Sequence, residues 1–136
     1  MTAPDFNDSR LAHGIQLFND GEFFECHDVL EEYWSDLYCP ERTLFQGLIQ
    51  AAVALFHFEE GNRGGALRMY RSCRVYLSPF APQTAGIDVS SLLVDLDACF
   101  SELSERCHSS PDDVQLNRDL IPKIRFQPPE DEQPLV

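Results

Sequence analysis

Three short helix-breaking stretches divide residues 1–77 into four segments with helical periodicity. They are Asn-Asp-Gly at 19–21, Cys-Pro at 39–40 and Gly-Asn at 61–62. Glycine favours the position just after a helix, asparagine can cap the next helix, and proline disfavours a helical residue before it. The pattern predicts helices over about 8–19, 22–38, 41 or 42 to 60, and 63–77, followed by a fifth over 89–106.

The connections between the second, third and fourth helices are only a few residues long, which makes these helices antiparallel neighbours. Strand signals are poor throughout. We therefore expect an all-α protein, a compact bundle of about five helices built from antiparallel helical hairpins. One domain is expected over 1–126, with the third helix at its centre and the segment "LIPKIRF" (120–126) lying extended on the core. Residues 127–136 are expected to form a disordered, acidic and proline-rich tail.

The charge of the chain limits its partners. Acidic residues outnumber basic ones by 23 to 10, which gives a formal charge of −13. That field repels nucleic acid and anionic lipid surfaces, so we expect neither nucleic acid nor a membrane as a partner. Five cysteines without a CxxC pair, and no evident secretory leader, are typical of a reduced compartment. We expect a cytoplasmic protein, or a stromal one if the source is a plant plastid.

Polar residues form a stripe on each of two consecutive predicted helices. On the second helix, His27, Glu31 and Trp34 are spaced by four and then three residues, which places them on one face. On the third helix a second narrow stripe contains Arg42, Gln46, Gln50 and His57. Antiparallel packing about the short turn would bring the two stripes together. The sequence therefore predicts a cluster of His27, Glu31, Gln50 and His57, with Trp34, Arg42 and Gln46 at one end.

Three kinds of chemistry suit such a cluster. His27, Glu31 and His57 could ligate a divalent transition metal, because facing bundle helices can present imidazole and carboxylate ligands. His27 and Glu31 are the candidate catalytic pair of an acid–base enzyme, with Glu31 as the base and His27 orienting it. Trp34, Arg42, Gln46, Gln50 and His57 could line a ligand-binding pocket. A hydrogen-bonded network that only fixes the pairing of two helices is the structural alternative, and the pattern favours it.

Several stretches together resemble a family of bacterial, archaeal and plastid proteins known as domain of unknown function 309. They are "FNDGEFFECHDVLEEYW", "RTLFQGLIQAAVALFHFEEGNRGGAL" and, more loosely, "LIPKIRF". Where the family usually reads His-Glu, this chain has His27-Asp28, which retains an acid with a shorter side chain. The resemblance implies a compact helical bundle and a shared set of polar positions, namely His27, Asp28, Glu31, Trp34, Arg42, Gln46, Gln50, His57, Gly61 and Asn62. It implies no activity.

The leading hypothesis for function is a non-catalytic module that binds a small molecule or another protein through the surface of the second and third helices. The alternative is a metal-dependent or acid–base enzyme, hydrolase-like, that uses the same cluster. A homodimer is also expected to be possible, with Phe6, Phe80 or Phe126 as exposed aromatic residues that could cover a dimer face.

Overall fold

The computed structural model describes residues 5–107, 109 and 111–128. Over these residues the chain forms five α-helices, which confirms the all-α class and the bundle of antiparallel hairpins. The helices are α1 (Ser9–Asn19), α2 (Phe23–Ser35), α3 (Arg42–Glu59), α4 (Arg63–Leu77) and α5 (Val89–Glu105). Short 3₁₀ turns occupy Ser78–Phe80, Pro111–Asp113 and Arg118–Leu120. None of the helices in the described residues has the length and apolarity that crossing a bilayer requires.

Local signals set most helix ends where the sequence predicts them. The carboxylate of Asp8 accepts a hydrogen bond from the Arg10 amide at 2.8 Å, which caps the start of α1. Gly21 and Gly61 have φ angles of 81° and 79°, a conformation that glycine adopts without a steric penalty. The side chain of Asn62 accepts from the Gly65 amide at 3.0 Å and caps α4. These residues act within three positions of themselves, so their effect is visible in the sequence.

The end of α2 differs from the prediction. We expected this helix to continue to Tyr38, but it ends at Ser35, and Asp36 follows as its C-terminal cap. The amide of Leu37 then donates to the carbonyl of Trp34 at 3.1 Å, a tight final turn, and this directs the buried Leu37 side chain into the core. Burial of Leu37 thus ends the helix before Pro40 can. The α2–α3 connection is correspondingly longer than predicted.

Helix α3 is the centre of the bundle, as its apolar composition predicts. It packs most extensively against α4 and also against α2, which in turn packs against α1. Two helical glycines permit these close approaches. A Cβ on Gly14 would lie 2.6 Å from Cγ of Leu30, and a Cβ on Gly47 would lie 2.8 Å from Cδ2 of Leu77. At these two points the backbone of one helix therefore packs directly against a leucine side chain of its neighbour.

A small β-hairpin and a C-terminal strap complete the core. The segment predicted as a loop after α4 contains strands β1 (Gln83–Thr84) and β2 (Ile87–Asp88), which pair in antiparallel fashion. The strap, defined here as residues 121–128, lies extended as predicted, and its Phe126 forms a bridge with Ile87 of β2. The Asn19 side chain donates to the Ile124 carbonyl at 3.0 Å and accepts from the Ile124 amide at 2.7 Å. The side-chain amide of Asn19 therefore pairs with the strap as the backbone of a neighbouring strand would.

The strap also bears on the predicted domain boundary. The amide of Gln127 donates to the carbonyl of Gly86 at 2.8 Å, so contact with the hairpin continues one residue beyond the expected end of the domain at 126. Most of the predicted tail, residues 129–136, lies outside the described residues, and its disorder stays a prediction.

Three aromatic side chains and three cysteines are buried to different extents at the core. The prediction that Phe6, Phe80 and Phe126 are exposed is wrong, because all three are partly buried against the core. Their rings fill gaps at its edge, as the 6.0 Å between the ring centroids of Phe6 and Phe45 illustrates. All five cysteines carry free thiols, and the three on the inner faces of α2, α4 and α5 are buried, namely Cys26, Cys73 and Cys99.

Candidate binding site between the second and third helices

A small cavity opens between α2 and α3 at the end remote from their connection. Its volume is about 160 Å³. The lining is almost entirely apolar and consists of Phe23, Phe24, His27, Val53, Phe56 and His57. The two imidazoles that the sequence predicts to converge therefore line one cavity, although aromatic and aliphatic side chains make up the rest of its wall.

Aromatic rings form the mouth of this cavity. The ring centroid of Phe24 lies 5.4 Å from that of Phe56 and 5.5 Å from that of His27, distances at which aromatic rings attract one another. Phe24 is nevertheless 55% exposed, which is unusual for a phenylalanine in a helix of a compact bundle. Phe24 therefore lies at the surface, beside the cavity.

His27 is held by acceptors on both of its ring nitrogens. Nε2 lies 3.2 Å from Oε2 of Glu31, and Nδ1 lies 3.1 Å from the carbonyl oxygen of Phe24 and 3.5 Å from Oδ1 of Asp28. A neutral imidazole has a single N–H, so only one of its two nitrogens can donate a hydrogen bond to these oxygens. The protonated ring can donate from both nitrogens. The His27–Glu31 pair predicted from the spacing is therefore present, and its geometry fixes the orientation of the ring.

His57 has a different set of contacts. Its Nδ1 lies 3.3 Å from Nδ2 of Asn62, the residue that caps α4. Because an amide nitrogen only donates, Nδ1 accepts, and the proton of the neutral ring is carried by Nε2. The amide oxygen of Asn62 is already used to cap α4. His57 is thereby tied to the turn between α3 and α4 and is not bonded to His27.

The remaining predicted site residues lie toward the other end of the hairpin. The guanidinium carbon of Arg42 lies 3.6 Å from the ring centroid of Trp34, a close cation–π contact, and Nε of Arg42 donates to the Trp34 carbonyl at 3.4 Å. Gln46 is half-buried one turn further along α3. Nε1 of Trp34 and Oε1 of Gln50 are both buried without a hydrogen-bond partner. These two atoms are exceptions to the rule that buried polar groups are paired.

The predicted four-residue network is therefore only partly formed. His27 and Glu31 form a pair, and His57 shares a cavity with His27. Within the described residues, Gln50 bonds to neither Glu31 nor His57 through its side-chain oxygen, which is unpartnered. A network of mutually satisfied groups would leave no such atom. A hydrogen-bonded network that only fixes the pairing of the two helices therefore accounts for His27 and Glu31 but not for Gln50 or Trp34.

The catalytic and metal interpretations have limited geometric support. Across residues 5–107, 109 and 111–128, no three His, Cys, Asp or Glu side chains are grouped in a way that could hold a metal ion. A site of His27, Glu31 and His57 stays a prediction. Cys26, the neighbour of His27, points into the core, where burial raises the pKa of its thiol to about 12. A thiol in that state is not a nucleophile near neutral pH.

Sequence reasoning missed four residues of the cavity wall as site residues, Phe23, Phe24, Val53 and Phe56. Apolar residues at helical spacing are most simply assigned to the core, and nothing in their spacing reveals that a gap remains between them. One signal was present. Phe24 lies four residues before Asp28 and seven before Glu31, so it shares a helix face with two acids. A phenylalanine on a face with two acids indicates a surface position.

Comparisons with known proteins give relatives but no activity. The chain is 35% identical over 92 residues to the uncharacterised protein YpuF of Bacillus subtilis, a match that covers 65% of this chain and 53% of YpuF. It is 28% identical over 88 residues to an uncharacterised protein of Aquifex aeolicus, covering 64% of this chain and 26% of that protein. The chain thus spans about half the length of the first relative and about a quarter of the second.

The family comparison covers α1 to α3 almost completely and about the first half of α4. Residues 11–69 match the model of a family described as domain of unknown function (DUF309). The matched region runs from α1 into α4 and includes both polar stripes and every residue that lines the cavity. Over this region the chain is similar to the DUF309 family, and the resemblance expected from the sequence is confirmed.

Proposed function

We propose that this protein is a binding module whose α2–α3 cavity accepts one apolar side chain of a partner protein. The observation that carries the proposal is the cavity itself, with its apolar wall and a volume of about 160 Å³. An engineered cavity of about 150 Å³ in another protein binds benzene, whereas pockets for drug-sized ligands measure about 300–1,000 Å³. The size thus suits a single phenyl or isobutyl group and not a whole organic cofactor.

The position of the cavity suits an interface. Binding energy between proteins is concentrated in a few apolar or aromatic side chains that enter pockets on the partner, and residues around them exclude water. Phe24 and Phe56 can supply such a rim, because Phe24 is 55% exposed and its ring lies 5.4 Å from that of Phe56. An exposed phenylalanine at the mouth costs solubility in the free protein, and a bound partner would remove that cost.

Amide chemical shifts measured during a titration test the proposal. The ¹⁵N-labelled protein is titrated with N-acetyl-phenylalanine amide and, in parallel, with N-acetyl-alanine amide. We expect the phenylalanine compound to shift the amide signals of Phe24, Val53 and Phe56 in a saturable way at millimolar concentration, and the alanine compound to leave them in place. Equal effects of both compounds, or shifts spread over the whole surface, would contradict the proposal.

Two substitutions of the same kind give a matched control. Val53→Phe places a larger side chain in the cavity wall and should abolish the response to N-acetyl-phenylalanine amide. Val75→Phe adds the same atoms at a position on α4 that is 72% exposed, so the response should persist. Phe24→Ala provides a second test if Val53→Phe fails to fold, because it removes one wall of the cavity and should weaken binding.

The acid–base enzyme is the second candidate, favoured by the 3.2 Å contact between His27 and Glu31 at the cavity. Its difficulty is that both ring nitrogens of His27 face oxygen acceptors, so neither presents a free lone pair to a substrate. Hydrolysis of p-nitrophenyl acetate by the protein and by His27→Gln separates the two candidates. Equal rates would count against the enzyme, and loss of most of the activity in His27→Gln would support it.

A further inference from the structure

We infer that the apolar side chain taken by the α2–α3 cavity belongs to a basic segment of the partner, with Lys or Arg beside the apolar anchor. This inference rests on the proposed function and adds the chemistry of the partner. It is drawn from the charges that surround the mouth of the cavity, which are acidic on the exposed face of α2.

Acidic side chains continue the face on which Phe24 lies. At about 100° per residue, Phe24, Asp28 and Glu31 fall within roughly 60° of one another around α2 and follow each other along its axis. The side chains of Asp28 and Glu31 are 63% and 57% exposed. Each lies one to two helical turns from Phe24, or roughly 5–11 Å along the axis. A residue seated in the cavity would therefore have two carboxylates close to its chain neighbours.

Few positive charges oppose these acids. Helix α2 contains four acidic residues and neither Lys nor Arg, and the ionic contacts of Asp28 and Glu31 are with His27, which is charged only when protonated. At the other end of the site, Glu60 is exposed at the end of α3, while Glu59 is paired with Arg118 at 3.2 Å. Arg42 lies beyond the acids, with its guanidinium stacked on Trp34.

Charge complementarity across an interface mainly sets the rate and selectivity of association. An acidic segment would place like charges together at this mouth, whereas a basic segment would pair with Asp28 and Glu31. The total formal charge of −13 acts in the same direction at longer range. Nucleic acid cannot be the source of the anchor, because its phosphates would meet the same acidic face.

Four short peptides test the inference. They are acetylated and amidated forms of Lys-Lys-Phe-Lys-Lys, Ser-Ser-Phe-Ser-Ser, Glu-Glu-Phe-Glu-Glu and Lys-Lys-Ala-Lys-Lys, each titrated into the ¹⁵N-labelled protein at low salt. We expect the lysine–phenylalanine peptide to bind about tenfold more tightly than the serine peptide, since two exposed charge pairs contribute about that factor. The glutamate peptide should bind more weakly still. About 1 M NaCl should remove these differences, because it screens exposed charges.

Charge-removing variants locate the effect. Asp28→Asn together with Glu31→Gln should weaken the lysine–phenylalanine peptide about tenfold, so that it no longer binds more tightly than the serine peptide. Glu102→Gln together with Glu105→Gln makes the same change of net charge on α5 and should have little effect. If both double variants weaken binding equally, only the total charge matters and the inference fails.

The outcomes distinguish this inference from the proposed function. Equal binding of all three phenylalanine peptides would overturn the basic partner and leave the cavity as a binding site. No binding of any phenylalanine peptide, or equal binding of the lysine–alanine peptide, would overturn both. If the Phe24 and Phe56 signals shift on dilution of the protein alone, the occupant is a second copy of this chain and the basic partner is wrong.

Discussion

Replacing Gln50 with methionine should stabilise the free protein. Oε1 of Gln50 is buried and has no hydrogen-bond partner, so folding removes water from this acceptor and supplies nothing in return. Methionine has a similar volume and a similar helix propensity, so Gln50→Met removes the unpaired atom with little other change. A gain would mean that Gln50 lowers the stability of the free protein.

The magnitude follows from the cost of an unsatisfied buried polar group. Such a group costs about 1–3 kcal/mol, and part of this remains because the methionine side chain must still pack. We therefore expect the free energy of unfolding to rise by about 1–2 kcal/mol. With an unfolding entropy of about 2.1 cal/mol/K per residue over 136 residues, each kcal/mol raises Tm by roughly 3.5 °C. The expected increase in Tm is about 3–7 °C.

Urea denaturation and thermal unfolding followed by circular dichroism measure the change. Gln46→Met is the matched control, because it makes the same substitution one turn earlier on α3, where the side chain is half-buried and carries no buried unpartnered atom. The control should change the free energy of unfolding by less than about 0.5 kcal/mol. A loss of more than 1 kcal/mol in Gln50→Met alone would refute the reasoning and indicate that Gln50 belongs to a hydrogen-bonded network.

Three further predictions concern the scaffold. In urea denaturation Gly14→Ala should lower the free energy of unfolding by about 1–2 kcal/mol, because the new Cβ overlaps the buried Leu30. Gly64→Ala, whose Cβ meets no neighbour closer than ordinary contact distance, should raise it by about 0.5–1 kcal/mol. A gain at both positions would contradict this packing. Asn19→Ala should cost about 1–3 kcal/mol and accelerate hydrogen exchange at the strap amide that Asn19 binds, and unchanged exchange would refute that contact. In thiol labelling of the native protein at pH 8, the half-buried Cys107 should react. Cys26, Cys73 and Cys99 should react only after unfolding, because they are buried and burial raises the pKa of each thiol to about 12. Reaction of these three cysteines in the native protein would contradict the prediction.

The fold was predictable where local chemistry determines it. Asp8 and Asn62 cap helices through atoms two or three residues away, and Gly21 and Gly61 take the left-handed conformation that their positions require. Such interactions are encoded in adjacent residues. The contact between Asn19 and Ile124 spans 105 positions and depends on the finished bundle, so no local pattern could indicate it.

The site was predictable in part, for the same reason. His27 and Glu31 are one turn apart on a single helix, and their spacing alone brings them into contact. The pairing of Gln50 with α2 depends on how two helices rotate against each other, which periodicity determines only to within tens of degrees. The cavity exists because no side chain fills this part of the space between α2 and α3. Its wall could be identified only from coordinates, although Phe24 on an acidic face gave an indication.

An isotope-filtered nuclear Overhauser experiment on the complex with N-acetyl-phenylalanine amide tests the central claim most directly. The claim predicts cross-peaks between the ring protons of the probe and the methyl groups of Val53, which lies in the cavity wall. Exposed apolar side chains elsewhere provide internal controls, namely Val94 at 66% and Leu120 at 41% exposure. Cross-peaks to Val53 alone would support the cavity as the binding site, and cross-peaks only to Val94 or Leu120 would contradict it.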